Sequence, residues 1–270
     1  ATRIFDGVTH AMAPVDADGA VALDRLAELL DERVGLVSVM TANNEVGTVQ
    51  PLAEVVALTR RLAPRARVHT DAVQAAPWLD LGTVGTGADL VSISAHKLGG
   101  PKGAGALVIR EGTPLRPLLY GGGQERERRG GTHDVAGAVG LATALSVAAA
   151  GRAAEATRVR ALRDRLADGL LDRVPGAVES AARHKVLPGH CHLRFTGVDH
   201  EELLVLLDHQ EVCASGGSAC ASGALEPSPV LSAMGVGGGG IRFSLGWTTT
   251  AEEVEHALEV VPEAVATLAW

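Results

Sequence analysis

Cysteine is scarce in this 270-residue chain, with only Cys191, Cys213 and Cys220 present. Three thiols at uneven spacing exclude a disulfide framework and a four-ligand zinc site, so reduced cysteines are expected, one of them free to react. Positive charge is also short. The formal net charge is −8, which leaves no basic footprint for tracking a phosphate backbone, and no direct nucleic-acid binding is expected. No continuous apolar run reaches the roughly 18 residues of a membrane span, and Ala1-Thr2-Arg3-Ile4-Phe5-Asp6 has neither an apolar signal region nor a cleavage site. A cytoplasmic location without membrane contact is therefore expected. G-x-x-x-x-G-K-[ST] does not occur, which sets aside the common phosphate loop, and no internal repeat or low-complexity tract is visible.

What remains is an ordinary globular composition, 46% hydrophobic and 21% charged, enough for one large domain or two smaller ones. Leu23, Leu26, Leu29 and Leu30 recur at helical spacing within Ala22 to Arg33, and the apolar run Leu36 to Met40 predicts a buried strand. Pro51 can open a second helix running to about Ala63, with Leu52, Val55, Val56 and Leu62 on one stripe. Strands follow at Arg67 to Thr70, Leu90 to Ser94 and Ala106 to Ile109. Helices alternating with wholly apolar strands predict an α/β domain with a mainly parallel sheet.

From Asp134 to about Val174 no strong breaker interrupts an Ala-, Leu- and Arg-rich stretch, so one long helix or a kinked pair is expected. The domain boundary is placed near residue 150, dividing 1–150 from 151–270. Beyond it the pattern predicts a smaller α+β domain. Its elements are a strand Cys191 to Phe195, a helix capped by Asp199 and Glu202, strands Val212 to Ser215 and Ile241 to Leu245, and a last helix capped by Thr250 and Glu253.

In parallel sheets chemistry gathers beyond the C-terminal strand ends, and Asn43-Asn44, Asp71 and His96-Lys97 sit at such ends. A lysine thrust into a crevice can lose its proton and bond an aldehyde, although a lysine after a strand is more often simply solvated. A carboxylate such as Asp71 could keep a pyridine nitrogen protonated, or could merely cap a helix. A thiol in a Gly/Ser/Ala-rich loop, as at Cys220, is exposed and mobile, whereas Cys191 and Cys213, both read as strand residues, fit inert small hydrophobes. Cys191 lies between His190 and His192, but neighbours on a strand face opposite ways and are poorly placed to share a metal ion.

Taken in order, Asn43-Asn44-Glu45-Val46-Gly47-Thr48-Val49-Gln50-Pro51, His69-Thr70-Asp71-Ala72-Val73-Gln74 and Ser94-Ala95-His96-Lys97-Leu98-Gly99-Gly100-Pro101-Lys102-Gly103 closely resemble the class V aminotransferase group of fold-type I pyridoxal-phosphate enzymes. Gly121-Gly122-Gly123-Gln124-Glu125-Arg126 with Arg129-Gly130-Gly131-Thr132, and Ser218-Ala219-Cys220-Ala221-Ser222 with Leu225-Glu226-Pro227-Ser228, look like the NifS/IscS-type cysteine desulfurases within it. The chain departs from that pattern at Gly130, where Ser is frequent, and at Glu127-Arg128. It also shows no hydroxyl-bearing phosphate loop and no ring to stack on the cofactor, so the resemblance implies a further N-terminal segment of roughly a hundred residues.

The resemblance implies a mainly parallel large domain carrying pyridoxal 5'-phosphate and a smaller domain carrying the catalytic cysteine. Lys97 would bond the cofactor aldehyde, Asp71 would pair with the pyridinium nitrogen, and Asn44 and Gln74 would bond the phenolic oxygen. Ser94 and His96 would hold the phosphate, and Thr132 would reach the phosphate of a second subunit's cofactor, which makes a homodimer part of the expectation. Arg242 would clamp the carboxylate of an L-cysteine substrate, with Asn44 also touching it. Cys220, Lys97 and His96 would form the catalytic set, with Cys220 taking sulfur as a persulfide for an acceptor protein in iron–sulfur assembly, thiolation or DNA phosphorothioation. A class V aminotransferase, a selenocysteine lyase and a catalytically silent dimerisation or docking fragment are the alternatives, distinguished by whether Cys220 is needed.

Overall fold

The computed structural model describes residues 7–85, 87–217 and 228–268. Helix α1 (Leu23–Leu29) is shorter than its apolar spacing predicts, because Leu30 turns to extended backbone at φ −91° and ψ 121°. Strand β1 (Leu36–Ser38) likewise stops two residues short of Met40. Helix α2 (Leu52–Leu62) follows Pro51, as that residue's lack of a donor allows, and buries Val55 beside Leu26, Leu30 and Val37. Then come β2 (Arg67–Asp71), a single turn α3 (Leu81–Val84), β3 (Leu90–Ser94) and β4 (Gly105–Ile109). Among the described residues these strands form one sheet in the order β1-β2-β3-β4. The first three are parallel, and β4 closes the edge antiparallel to β3. Parallel pairing brings the ends of β2 and β3 to one side, with Asp71 beside Ser92.

A short turn α4 (Gln124–Glu127), with Glu125 and Arg126 in the left-handed region, leads to α5 (Val135–Arg173), one unbroken 39-residue helix. Asp134 caps it by accepting from the Gly137 amide at 2.9 Å. The expected division near residue 150 falls inside this helix. Its first part meets β3 through Leu141, packed with Ala72, Ile93 and Ala95, while Val159, Leu166 and Leu170 belong to the core of the second sheet. Close seating at the first end depends on two glycines. A β-carbon at Gly140 would stand 2.7 Å from Pro101 Cγ, and one at Gly100 would stand 2.9 Å from Ala144 Cβ.

The second sheet contains β5 (Ala177–Glu179), β6 (His190–Phe195) and, after helices α6 (His200–His209) and α7 (Pro229–Ala233), β7 (Ile241–Ser244), all antiparallel in the order β5-β6-β7. Helix α8 (Ala251–Leu268) covers it with α5. Its expected capping pair is present, with the Thr250 amide donating to Glu253 and the Glu253 amide to Thr250 Oγ1. Asp199 caps α6 by accepting from the Glu201 and Glu202 amides, which is the Asp199 half of the expected pair. The expected strand Val212 to Ser215 does not form. Only Ser215 pairs, as a single bridge to Arg242, and Cys213 is exposed rather than held in a strand. The apolar run there follows the turn after α6, where the Val212 amide bonds back to the Leu207 carbonyl.

Part of α5 is long and apolar enough by composition to cross a membrane, which a search for continuous apolar runs misses because Gly and Ser interrupt it. Most of that stretch is exposed, and Val135, Val139 and Val147 stand open on it.

Gly140→Leu is expected to lower stability by about 1–3 kcal/mol through overpacking against Pro101, although Leu is the better helix former. A denaturant midpoint equal to or above that of the parent protein would show that α5 is not seated on this loop.

Candidate active site

The loop after β1 is built by its own polar residues. Asn43 Oδ1 accepts from the amides of Glu45 and Val46, and Gly47 turns at φ 82°, a region that favours glycine. Turned this way, the loop meets the second sheet. The Leu187 amide donates to the Gly47 carbonyl, and Thr48 bridges Val186. Arg242 Nη1 donates to the Asn44 carbonyl at 2.7 Å, across 198 residues of sequence. Burial lowers the Arg242 pKa, and the charge of Glu45 opposes that fall.

Glu45 is buried at 4% exposure and accepts a 2.6 Å bond from Ser228 Oγ. A β-carbon at Gly217 would stand 3.4 Å from its Oε2. Gly217 and Ser228 flank the segment 218–227, so both flanks reach the Asn43–Gly47 loop. Cys220 itself lies outside the described residues.

Lys97 occupies a 3-10 turn directly after β3, closed by Gly99 at φ 77°. It is exposed, so the described residues do not supply the desolvation a closed crevice would give. The other two lysines are placed differently. Lys185 is paired with Asp18 at 2.6 Å, and Lys102 lies farther along the Gly-rich loop. Beside Lys97, His96 Nδ1 and Ser94 Oγ are 2.7 Å apart. Asp71 is exposed at the end of β2, and its Oδ1 accepts from the Val73 amide, so the capping role is real for that oxygen. Its Oδ2 has no intrachain partner among the described residues. Gln74 is half-buried with Nε2 3.2 Å from His190 Nε2. Thr132 is exposed and far along the chain from these groups.

His190 was legible in the sequence only as a poor metal ligand, and among the described residues no cluster suited to a metal ion is found. The structure gives it a different place. Burial, then the charges of Arg242, Lys97 and Arg163, push its pKa down to about 3. Gln74 bonds this imidazole directly, and the charges of Arg242 and Lys97 are felt there. His192, two residues on, bonds Ser180 Oγ at 2.8 Å and is pushed down to about 4, chiefly by burial. Cys191 between them is fully buried, and burial pushes its thiol up to about 12, so it is inert as expected. Cys213, expected to be equally hidden, is exposed.

Residues 2–257 match the model of the family described as aminotransferase class-V. The chain belongs to that family. It is 45% identical to a cysteine desulfurase of Cereibacter sphaeroides, over 96% of this chain and 67% of that protein. It is 43% identical to an IscS-like cysteine desulfurase of Mycobacterium tuberculosis, over 97% and 68% respectively. A solved NifS-like protein superposes with a TM-score of 0.88 at 37% identity, over 97% of this chain and 69% of that one. Within the class V family the chain groups with the NifS/IscS-type cysteine desulfurases, which share its fold-type I architecture, and it spans about two thirds of their length.

Two buried histidines that stay neutral in the fold take up protons on unfolding at acid pH. Their contribution is present above the ordinary value of 6.5 and is lost as pH falls through the window toward 4. The denaturant midpoint should therefore fall between about pH 7 and pH 5, before carboxylates titrate, and His192→Asn should flatten that fall. A midpoint level across this range would contradict the burial described for both rings.

Proposed function

We propose that this chain carries the catalytic groups of a pyridoxal-phosphate-dependent cysteine desulfurase, converting L-cysteine to L-alanine and leaving a persulfide on Cys220. The observation that carries the reading is the pair of long-range bonds Gln74–His190 and Arg242–Asn44, which bring candidate ligands from both sheets together in a chain whose relatives are cysteine desulfurases. The donor set suits the family's cofactor. Lys97 offers an amine for its aldehyde, Asp71 a carboxylate oxygen for its pyridinium, Gln74 and Asn44 amides for its phenolic oxygen, and the Ser94–His96 pair donors for its phosphate. Thr132, exposed on its loop, is available to the phosphate of a partner subunit's cofactor in a homodimer.

When bound, the cofactor supplies an electron sink for charge developing at the substrate Cα. Arg242 holds the substrate carboxylate. Its Nη1 and Nε are engaged by the Asn44 carbonyl and Ser244 Oγ, which fixes the guanidinium plane and leaves Nη2 without an intrachain partner among the described residues. Lys97 Nζ removes and returns the proton at Cα, and His96 stands beside it. The Cys220 thiolate then attacks the substrate sulfur. A sulfur–sulfur bond forms, the carbon–sulfur bond breaks with its electron pair left on the three-carbon fragment, and that fragment takes up a proton at Cβ and leaves as alanine. The persulfide passes to an acceptor protein, a partner that suits the chain's net negative charge better than a nucleic acid does. A cytoplasmic setting, in which thiols stay reduced, fits this chemistry and the unpaired state of Cys191 and Cys213.

Cys220→Ser should reduce alanine formation from cysteine by about a thousandfold or more, while bound-cofactor absorbance survives. Continued turnover in that variant, or efficient amino transfer to a keto acid by the parent protein, would overturn the desulfurase reading.

A further inference from the structure

His190 opens β6 at 3% exposure and has no task in the chemistry above. Its place is held from three sides. Arg163, itself 1% exposed, donates from Nη1 to the His190 carbonyl at 3.1 Å. Gly47 leaves room for the ring, since a β-carbon there would stand 2.5 Å from His190 Cβ and 2.8 Å from Cγ. Nε2 faces Gln74 Nε2 at 3.2 Å, from a residue 116 positions away.

Two facing nitrogens need one lone pair between them. An amide nitrogen only donates, so the ring Nε2 must accept and the ring proton must sit on Nδ1. The reverse arrangement turns the Gln74 carbonyl toward a protonated Nε2 and leaves Nδ1 a bare lone pair. Nδ1 is buried without a hydrogen-bond partner, and the backbone of Asn44 acts on the ring as a whole. Arg242, Lys97 and Arg163 together oppose a second proton, so the ring stays neutral and Nε2 stays an acceptor through the physiological range.

We propose that His190 is a positioning residue: its Nε2 lone pair fixes the Gln74 carboxamide so that the amide's second N–H, and not its carbonyl, faces the cofactor's phenolic oxygen. The inference rests on Gln74 being a cofactor ligand, as proposed above. Its consequence is chemical. An N–H steadies negative charge on that oxygen, whereas a carbonyl would repel it, so freeing the amide to rotate weakens binding and shifts the pH at which the bound cofactor changes colour.

The test begins without cofactor, by nitrogen NMR of His190 in the protein. The expected spectrum shows a protonated Nδ1, a bare Nε2 and no titration from about pH 8 to 5. Pyridoxal phosphate affinity and the pH midpoint of its visible absorbance are then measured for the parent protein, His190→Leu, Gln74→Ala and the double variant. His190→Leu should weaken affinity about three- to tenfold, the worth of one hydrogen bond, and shift the midpoint. In the Gln74→Ala background it should add nothing. His190→Gln, which can place an acceptor where Nε2 was, should restore most of the loss, and a merely structural role would not show that rescue. A protonated Nε2, or losses that simply add in the double variant, would overturn the inference while leaving the desulfurase reading intact. A parent protein that binds no pyridoxal phosphate would remove that reading, and this inference with it.

Discussion

The arrangement depends on a seam between two sheets that are remote in sequence. Three parallel strands release their loops on one side, and the loop leaving β1 is bonded to β7 by Arg242 and to the approach of β6 by Gly47 and Thr48. The candidate residues come from both halves: Asp71 ends β2, Gln74 and Lys97 follow β2 and β3, and Arg242 and His190 lie on β7 and β6. Arg163, on the helix that packs against both sheets, ties the start of β6 to the same place. Burying Arg242, His190 and Glu45 at this seam is costly unless each finds partners, and the bonds to Asn44, Gln74 and Ser228 provide them.

Elements that bury a repeating face were readable from residue spacing. The helix at Leu52–Leu62, the apolar strand at Leu90–Ser94 and the long breaker-free helix fall close to their expected places because local pattern and tertiary burial agree there. Caps were readable for a similar reason, since the Thr250 and Glu253 bonds join residues three apart. Less legible was what pairing decides. The strand at Gly105–Ile109 was expected, but its antiparallel orientation depends on its neighbour, as does the three-residue strand Ala177–Glu179. Around Cys213 a short apolar run was expected as a strand, but among the described residues only Ser215 finds a bridge, and the backbone takes a turn instead.

The candidate residues were read as an ordered set of motifs, because strand-end residues keep their local context. Asn44 follows β1, Asp71 ends β2 with Gln74 after it, and Lys97 follows β3, and these three strands run parallel. His190 was not legible as a site residue, since nothing local to His190-Cys191-His192 signals a contact with an amide 116 residues earlier. Glu45 was quoted within its motif without a role, and only the fold shows its carboxylate meeting both flanks of the segment that holds Cys220.

The central claim is that the turn after β3 delivers one amine to an aldehyde cofactor. The chain makes this unusually easy to test, because its lysines are Lys97, Lys102 and Lys185. Hydride reduction of the protein with pyridoxal phosphate, followed by peptide mass mapping, fixes the cofactor to whichever amine held it. The account predicts a pyridoxyl group on Lys97. Stable label on Lys102 or Lys185 in its place, or on no lysine, would contradict it.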